Sequence, residues 1–336
     1  MISNLPLVRA SSLLPLLKFL NENGISSQEF TRQSKLPENI FSHSENVLSL
    51  YQAFDTLNFF ARREGEELFG ILASQKLEIE DIGLFGKIIS QSLTGYDLLR
   101  TIVSLLKRTY SSGVKVWLTE DNDRIWFNHQ YLNLKHCENQ QASYYGFLSH
   151  LKAIRSIMGF DLHPTDLCFQ GQTIKGLSNI NLFSQCRIRF NQPYNSMGIS
   201  KNLLYLPLEK KYHHSNDDEQ NLYERMNLLN LPVDFVDALK LLIRSQLFGG
   251  NIQIQTIVDS VGTSKRSLQR CLAHKGLSYS HLLNQVRFQL AVEYLKDNTI
   301  KIGDIAFELN YSEVNNFTRA FKKWTGLTPS EYRHRL

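Results

Sequence analysis

The feature that most constrains the fold of this chain is an internal repeat in its C-terminal third. Residues 254–272 read IQTIVDSVGTSKRSLQRCL, and residues 302–321 read IGDIAFELNYSEVNNFTRAF. Apolar positions of the two copies correspond at a separation of 48 residues near the start and 49 near the end, so the turn of the second copy is one residue longer. Such a repeat indicates one supersecondary unit that is present twice.

Each copy predicts a short helix, a turn and a second helix. Serine is a favoured N-cap because its side-chain oxygen accepts a hydrogen bond from a free amide of the first turn. We therefore expect Ser264 and Ser312 to begin the two second helices. Side chains four residues apart lie on one face of a helix, which predicts a buried pair in each copy: Leu268 with Leu272, and Phe317 with Phe321.

The opposite faces of the two second helices carry polar side chains that can hydrogen-bond to DNA bases. They are Lys265, Arg266, Gln269 and Arg270 in the first copy and Asn315, Asn316, Thr318 and Arg319 in the second. In the major groove, Arg forms paired hydrogen bonds with guanine, and Asn or Gln with adenine. A helix with such residues near its start is typical of the recognition helix of a helix-turn-helix. The alternative is a helical bundle whose repeat binds another protein.

The segment between the copies predicts one long helix over residues 279–296. It contains neither Pro nor Gly, and Leu283, Val286, Leu290 and Tyr294 form an apolar stripe. At 1.5 Å per residue this helix is about 27 Å long, enough to hold two recognition helices about one DNA turn, or roughly 34 Å, apart. Both would then enter successive major grooves of double-stranded DNA.

The formal net charge of +5 lies entirely in the same region. Residues 230–336 contain seven Lys and seven Arg against five Asp and four Glu, whereas the remainder of the chain is neutral. Clustered cations favour a polyanion partner, because binding to phosphates releases counterions. A solvated basic surface is the alternative explanation of this charge.

The pattern of polar and apolar residues predicts two domains. Residues 209–221 contain no aliphatic side chain, so we place a polar linker at 213–221, between an α+β domain at 1–212 and an all-α DNA-binding domain at 222–336. Within the first domain, helical spacing extends over 47–63 and 143–158, and alternation around the turn at 120–123 predicts a β-hairpin. Residues 167–169 and 187–190 are predicted to be short strands.

Several classes of protein are disfavoured by the sequence. No apolar run reaches the roughly 18 residues of a membrane span, and no signal peptide is recognised, so we expect a cytoplasmic protein. There is no catalytic motif, no cofactor is expected, and His213 and His214 lie on a polar segment that does not predict a metal site. The four cysteines, at positions 137, 168, 186 and 271, form no metal-binding or disulfide pattern. Cys137, Cys168 and Cys186 are predicted to be buried thiols, with oxidant sensing as the alternative.

The C-terminal residues carry a resemblance to a known family. Ile305-Ala306, Phe317, the run RAFKKW at 319–324, Gly326 and Thr328-Pro329 resemble the DNA-binding domain of the AraC/XylS transcription regulators. That family implies two helix-turn-helix units joined by a long helix. It also implies base contacts from six of the polar residues: Arg266, Gln269, Arg270, Asn315, Asn316 and Arg319. Two positions depart from its pattern, because Asn310 replaces a usual Gly and Val258 a usual Ala.

The N-terminal region resembles the arabinose-binding-type effector domain of the subgroup that includes ornithine-utilisation regulators. The similarity rests on Asn23-Gly24-Ile25, Gly83-Leu84-Phe85-Gly86 with Thr94, and CRIRF at 186–190. It implies small-molecule sensing or homodimerisation, and contact with RNA polymerase if the protein is an activator. The residues of the ligand pocket are not identified by spacing. The alternative function is an enzyme of the alkyl-transfer repair type fused to the same DNA reader, which would need an activated cysteine.

Overall fold

The chain forms two compact units. The computed structural model describes residues 4–43, 45–132, 140–159, 162–174, 176–177, 180, 183, 185–208, 219–247 and 252–336. The N-terminal unit comprises Pro6–Ser34 and His43–Pro232, and the C-terminal unit comprises Val233–Leu336 with short segments at Leu5 and Lys35–Ser42. The predicted order, an α+β domain followed by an all-α domain, is confirmed.

The N-terminal unit combines helices with two β-sheets. Its helices are α1 (Leu14–Glu22), α2 (Ser27–Ser34), α3 (Leu50–Glu64), α4 (Phe69–Ser74), α5 (Gly83–Ile89), α6 (Gly95–Leu105), α7 (Gln140–Met158), α8 (Lys201–Leu204) and α9 (Glu219–Leu228). Its strands are β1 (Leu7–Arg9), β2 (Val47–Ser49), β3 (Val114–Glu120), β4 (Arg124–Tyr131), β5 (Asp166–Cys168), β6 (Arg187–Arg189) and β7 (Asn195–Ser200). Short 3-10 helices span Ala10–Leu13 and Ile79–Ile82, and a π-helical turn spans Leu106–Tyr110.

The larger sheet contains five strands in the order β3-β4-β7-β5-β6. The predicted hairpin is confirmed as β3 and β4, which pair antiparallel with Leu118 opposite Phe127. The pair β5 and β6 is parallel, and the other pairs are antiparallel. Helix α7 packs against α3, α4 and α6, so the core of the unit lies between these helices and the sheet.

A buried carboxylate joins three strands of this sheet. Asp166 in β5 is fully buried and accepts hydrogen bonds from Arg124 of β4 at 2.6 Å and from Arg189 of β6 at 2.6 Å. Arg187 approaches the same carboxylate at 3.2 Å. A buried charge is tolerated when it is paired and hydrogen-bonded, so these arginines make Asp166 an acceptable core residue.

The helix predicted over 47–63 is partly wrong at its start. Residues Val47–Ser49 form β2, which pairs antiparallel with β1, and the helix begins only at Leu50. The reason is local, because the Ser49 side chain accepts a hydrogen bond from the amide of Gln52 at 3.0 Å and caps α3 there.

A buried arginine ties the π-helical turn to the end of the N-terminal unit. Arg9 is 4% exposed, and its Nε donates to the carbonyl of Thr109 at 2.8 Å. Its Nη2 donates to the carbonyl of Leu229, just after α9, and its Nη1 to that of Glu45 at 2.5 Å. The amide of Leu231 in turn donates to the carbonyl of Arg108 at 2.6 Å. Leu229 and Leu231, which follow α9, are therefore both held to the π-helical turn, the first through Arg9 and the second directly.

The C-terminal unit is helical over its described residues. Its elements are α10 (Phe235–Leu247), α11 (Ile254–Val261), α12 (Lys265–His274), α13 (Tyr279–Leu295), α14 (Ile302–Glu308), α15 (Val314–Thr325) and α16 (Pro329–Arg333). The long helix predicted between the copies is confirmed as α13. Its predicted apolar stripe is wrong in part, since Val286 and Leu290 are buried but Leu283 and Tyr294 are only half-buried. Leu282, Ala291 and Leu295 are buried instead.

The two turns of the repeat contain equivalent left-handed residues. Gly262 follows α11 with φ +67°, and Asn310, 48 residues later, has φ +61° after α14. Asn is one of the few residues other than Gly that adopts this conformation readily. Asn310 therefore replaces glycine in the second turn without a change of backbone.

The N-cap expected at Ser312 is wrong. Helix α15 begins after Glu313, whose side chain makes no capping hydrogen bond, whereas Ser264 caps α12 as predicted by accepting from the amide of Ser267. The physical reason is the extra residue in the second turn, which moves the start of α15 one position beyond the serine. The final helix is capped as a Thr328–Glu331 capping box with Pro329 at its start.

The predicted linker lies mostly outside the described residues, which resume at Glu219. Helix α9, which follows, places Leu222 and Met226 in the hydrophobic core of the N-terminal unit. The domain limits inferred from the sequence therefore stay a prediction, which DNA-binding fragments can test.

We expect Asn310→Val to weaken the second turn of the repeat and Asn310→Gly to leave it intact. A β-branched residue in left-handed backbone costs about 1–2 kcal/mol. Hydrogen exchange of the amides in α14 and α15 should therefore accelerate in the valine variant alone. The exposed Asn298, which lacks a positive φ, gives the matched control Asn298→Val. Equal exchange in the two Asn310 variants would contradict the role of the turn.

Candidate nucleic-acid interface and ligand cavity

The first copy of the repeat presents its predicted polar face to solvent. Lys265, Arg266, Gln269 and Arg270 are all exposed on α12. On the opposite face, Leu268 and Leu272 are fully buried, as predicted, and Cys271 is 6% exposed. The first turns of α12 therefore project three cations and one amide outward.

The second copy presents a similar but more enclosed face on α15. Asn315 and Arg319 are exposed, whereas Asn316 and Thr318 are half-buried. Arg319 donates through Nη2 to the Oδ1 of Asn316 at 2.6 Å, so the two side chains form one pair. Phe317 and Phe321 are fully buried, as predicted.

Some cations of the C-terminal unit are held in ion pairs, whereas others are not. Arg244 forms a bidentate ion pair with Glu293 at 2.9 and 2.7 Å, and Lys275 pairs with Asp234 at 3.2 Å. Within the described part of the chain, Lys265, Arg266 and Arg270 form no ion pair with a carboxylate. Nor does Arg319, and these four cations are those that the sequence assigns to DNA contact.

Arg287 of α13 holds the turn of the second copy. Its Nε and Nη2 donate to the carbonyls of Leu309 and Asn310, each at 3.0 Å, and its guanidinium carbon lies 4.3 Å from the centre of the Tyr311 ring. The planar fork of arginine suits two adjacent acceptors and stacks on an aromatic ring. This anchoring residue was not predicted, because one arginine in an apolar helix has no distinctive sequence signal.

An aromatic cluster completes the contact of the second copy with α13. The ring of Phe321 lies 6.0 Å from Phe288 of α13, 6.1 Å from Trp324 and 5.3 Å from Tyr332. The first copy is anchored differently, by a hydrogen bond of 2.6 Å from the Tyr279 hydroxyl to the carbonyl of Ile252, just before α11. Both copies are therefore attached to the same rigid helix.

A cavity of about 80 Å³ lies inside the N-terminal unit. Its walls come from α3, α7, the β3–β4 hairpin and the π-helical turn, of which Leu106 and Tyr110 face the cavity. One water molecule needs roughly 10–15 Å³ of cavity volume. The cavity is therefore large enough for a small molecule.

Two polar side chains in the cavity wall lack a hydrogen-bond partner among the described residues. His129 is fully buried, and neither of its ring nitrogens has such a partner; the hydroxyl of Ser111, which is 6% exposed, also lacks one. Buried polar groups are nearly always hydrogen-bonded in proteins. These atoms are therefore available to a bound molecule.

A second histidine lines the same cavity but has a partner. His150 donates through Nδ1 to the carbonyl of Gly146 at 2.7 Å, and its ring centre lies 5.2 Å from that of His129. Burial lowers the pKa of His150 to about 4. Burial and the neighbouring His150 ring lower the pKa of His129 well below its ordinary value. Both rings are therefore neutral at pH 7.

The aromatic residues of α7 divide between core and cavity. Tyr144 and Phe147 lie in the hydrophobic core, whereas Tyr145 lines the cavity. Tyr131 reaches the wall because the facing helical residue is Gly146, where a Cβ would lie 1.9 Å from the tyrosine hydroxyl.

The described cysteines have the surroundings of structural thiols. Cys168 and Cys271 are buried, and Cys186 is half-buried with its Sγ 2.9 Å from the carbonyl of Pro164. Burial raises the pKa of Cys186 to about 11, the opposite of activation.

Cys137, His213 and His214 lie outside the described residues, and no group of described residues could hold a metal ion. No described helix is long and apolar enough to cross a bilayer.

Family models match both halves of the chain. Residues 24–208, more than half of the chain, match the arabinose-binding domain of AraC transcription regulators, and residues 257–335 match a helix-turn-helix domain. The first model describes transcription regulators and the second a helix-turn-helix domain, which leaves the alternative of a fused repair enzyme without support.

The chain is also similar to individual proteins. The ornithine utilization regulator of Pseudomonas aeruginosa is 24% identical over 98% of this chain and 96% of its own length. An uncharacterized helix-turn-helix regulator of Mycobacterium bovis is 37% identical over 28% of each chain. Among solved structures, the transcriptional regulator CdpR of P. aeruginosa aligns over 92% of this chain and 96% of its own with 15% identity and a TM-score of 0.39.

We expect His129→Leu to stabilise the protein and His150→Leu to destabilise it. A buried polar group without a partner costs about 1–3 kcal/mol, which leucine of similar size would recover at position 129. At position 150 the same change removes the side-chain hydrogen bond to the carbonyl of Gly146. Denaturant unfolding of the two variants measures the difference. Equal destabilisation by both changes would show that His129 is satisfied in the folded protein.

Proposed function

The chain belongs to the AraC family of transcription regulators, and we propose that the exposed faces of α12 and α15 read double-stranded DNA in two successive major grooves. As a member of this family it is a DNA-binding regulator with an N-terminal ligand-binding domain. The finer assignment is supported by one observation: two equivalent pairs of positions, Arg266 with Asn315 and Arg270 with Arg319, carry exposed polar side chains. Among the described residues, none of their cations is paired with a carboxylate.

The proposed contacts correspond across the repeat. Arg266, Gln269 and Arg270 are related to Asn315, Thr318 and Arg319 by the separation of 49 residues. Lys265 and Asn316 complete the proposed set. Helix α13 has 17 residues and is about 26 Å long at 1.5 Å per residue, so it can space the two helices by about one DNA turn.

We expect Arg266→Ala and Gln269→Ala to relax sequence preference in one half of the binding site. Asn315→Ala and Asn316→Ala should act about one helical turn of DNA away. Loss of a base contact costs about 1–3 kcal/mol at one base pair, whereas loss of a phosphate contact weakens all sequences alike. For Arg270 and Arg319 we favour base contact. Selection of binding sites from random DNA measures each variant.

The exposed Lys296 of the C-terminal unit provides the control variant Lys296→Ala, which should leave sequence preference unchanged. If variants of α12 and α15 relax the same base pairs, or if none alters preference, two-groove binding is wrong.

The DNA-binding activity is proposed to reside in residues 222–336, after the linker at 213–221. Because Leu222 and Met226 are buried in the N-terminal unit, a fragment that starts at Leu222 exposes them. We therefore expect a fragment of residues 233–336 to bind DNA as tightly as one of residues 222–336. Gel-shift titration with the native site compares them. If the full chain binds while both fragments fail, the division is wrong.

The cavity is proposed to hold the effector and to communicate through its π-helical turn. Leu106 and Tyr110 line the cavity, and the intervening Arg108 and Thr109 accept the hydrogen bonds that hold Leu231 and, through Arg9, Leu229. These residues directly precede the C-terminal unit, which begins at Val233. A ligand that moves the turn would therefore move the chain that leads into the DNA-binding domain.

We expect Arg9→Lys to loosen the π-helical turn and the segment around Leu229 together. Three different nitrogens of the Arg9 guanidinium reach the three carbonyls, and the single nitrogen of lysine cannot occupy all three positions. Hydrogen exchange should therefore accelerate at amides 106–110 and 229–231 in parallel. The change Arg63→Lys, at a more exposed arginine of the same unit, is the control. Acceleration at only one of the two segments would show that they are not connected through Arg9.

Three further assignments are part of the proposal. The protein is placed in the cytoplasm, at the nucleoid when bound to DNA. It forms a homodimer, which light scattering of the full chain would detect. If it activates transcription, it contacts RNA polymerase.

A further inference from the structure

We propose that the cavity takes a small uncharged ligand, mainly apolar, with one hydroxyl or carbonyl group that hydrogen-bonds to His129. This inference rests on the proposed function, in which the cavity holds the effector. It adds the chemical class of that effector and leaves the DNA-binding role unaffected.

The wall of the cavity offers no charge. The residues that line it include Leu50, Phe54, Phe85 and Ile102, and none of the described lining residues is Asp, Glu, Lys or Arg. An ion that enters an apolar cavity loses its hydration, and only a paired partner can compensate. The wall therefore disfavours ligands with a permanent charge.

The two histidines do not replace the missing charge. Burial lowers the pKa of both rings, that of His150 to about 4, so neither ring is an imidazolium at pH 7. A carboxylate would have to bind next to neutral rings. An amino acid such as ornithine, which carries both signs of charge, would meet no ion-pair partner among the described lining residues.

The wall does offer polar groups that a ligand can bind, at His129 and Ser111. A neutral imidazole has one N–H donor and one acceptor nitrogen, and a hydroxyl can act as either. Both nitrogens of His129 and the hydroxyl of Ser111 lack partners among the described residues. By contrast, His150 donates to Gly146, the Tyr145 hydroxyl to the carbonyl of Ser12, and the Ser149 hydroxyl to that of Tyr145. A ligand hydroxyl or carbonyl placed at His129 would find a free partner.

The size of the cavity limits the ligand to a single ring or a short chain. Its volume of about 80 Å³ is roughly half that of an engineered apolar cavity of about 150 Å³ that binds benzene. Phenol is a single ring with one hydroxyl and no charge at pH 7, and the apolar side chains of the wall would have to shift slightly to admit it. Toluene has the same number of heavy atoms but lacks the hydroxyl, while benzoate and ornithine carry charges.

The test measures binding of these four compounds to the full chain by calorimetry, together with the shift of melting temperature. We expect phenol to bind and to raise the melting temperature, and toluene to bind about two- to tenfold more weakly, the value of one hydrogen bond. Benzoate and ornithine should produce no shift. In the His129→Leu variant phenol and toluene should bind equally.

Two variants on different walls fill the cavity. Ala53→Phe on α3 and Ala153→Leu on α7 place bulk at residues that line it. Either variant that retains the melting temperature of the unmodified protein should lose the phenol response. Retention of phenol binding in a folded cavity-filling variant would overturn the assignment to this cavity.

The remaining outcomes separate the ligand class from the proposed function. If neither phenol nor toluene binds, or if benzoate or ornithine binds and cavity filling removes that binding, the uncharged class is wrong. In the latter case the effector role remains. If phenol binds in the cavity but its saturation leaves the affinity for DNA unchanged, the ligand class holds and the effector role fails.

Discussion

The C-terminal unit depends on one helix that has to serve two helix-turn-helix units at once. A helix with a single partner buries one stripe of apolar residues, whereas α13 buries Leu282, Val286, Leu290 and Leu295 and also packs Phe288 against Phe321. Arg287 adds directional bonds to the second turn. Because both helix-turn-helix copies pack on the same rigid helix, the separation of their exposed faces is set by helix geometry, not by a flexible connection.

Sequence reasoning predicted the repeat, the long helix and the exposed faces, because each depends on spacing within one or two neighbouring elements. Its errors also have local causes. Ser312 was expected as a cap, yet the separation of 49 that relates Leu268 to Phe317 relates Ser264 to Glu313, after which α15 begins. The stripe on α13 was misassigned because a helix with partners on several sides lacks one clear periodicity.

The N-terminal unit was less predictable, because its features combine distant segments. Strand β7 reads NSMGIS, and its small and polar residues give no alternation, although five of its six residues are buried. The cavity was missed for a similar reason: its wall contains both Ser111, next to the π-helical turn, and His129 on β4, which are distant in the sequence. Net charge located the DNA-binding half, but only the structure separates cations held in ion pairs, such as Arg244, from those left exposed, such as Arg266.

The hydrogen bonds that hold the π-helical turn to the end of the N-terminal unit involve almost only main-chain atoms. The carbonyls of Arg108, Thr109 and Leu229 and the amide of Leu231 take part whatever side chains these positions carry, and only Arg9 contributes through its side chain. Relatives could therefore exchange nearly every residue at these positions and keep the hydrogen bonds. A comparison of related sequences, whether of conserved residues or of co-varying pairs, would detect only Arg9. The main-chain hydrogen bonds would be seen only in a three-dimensional structure.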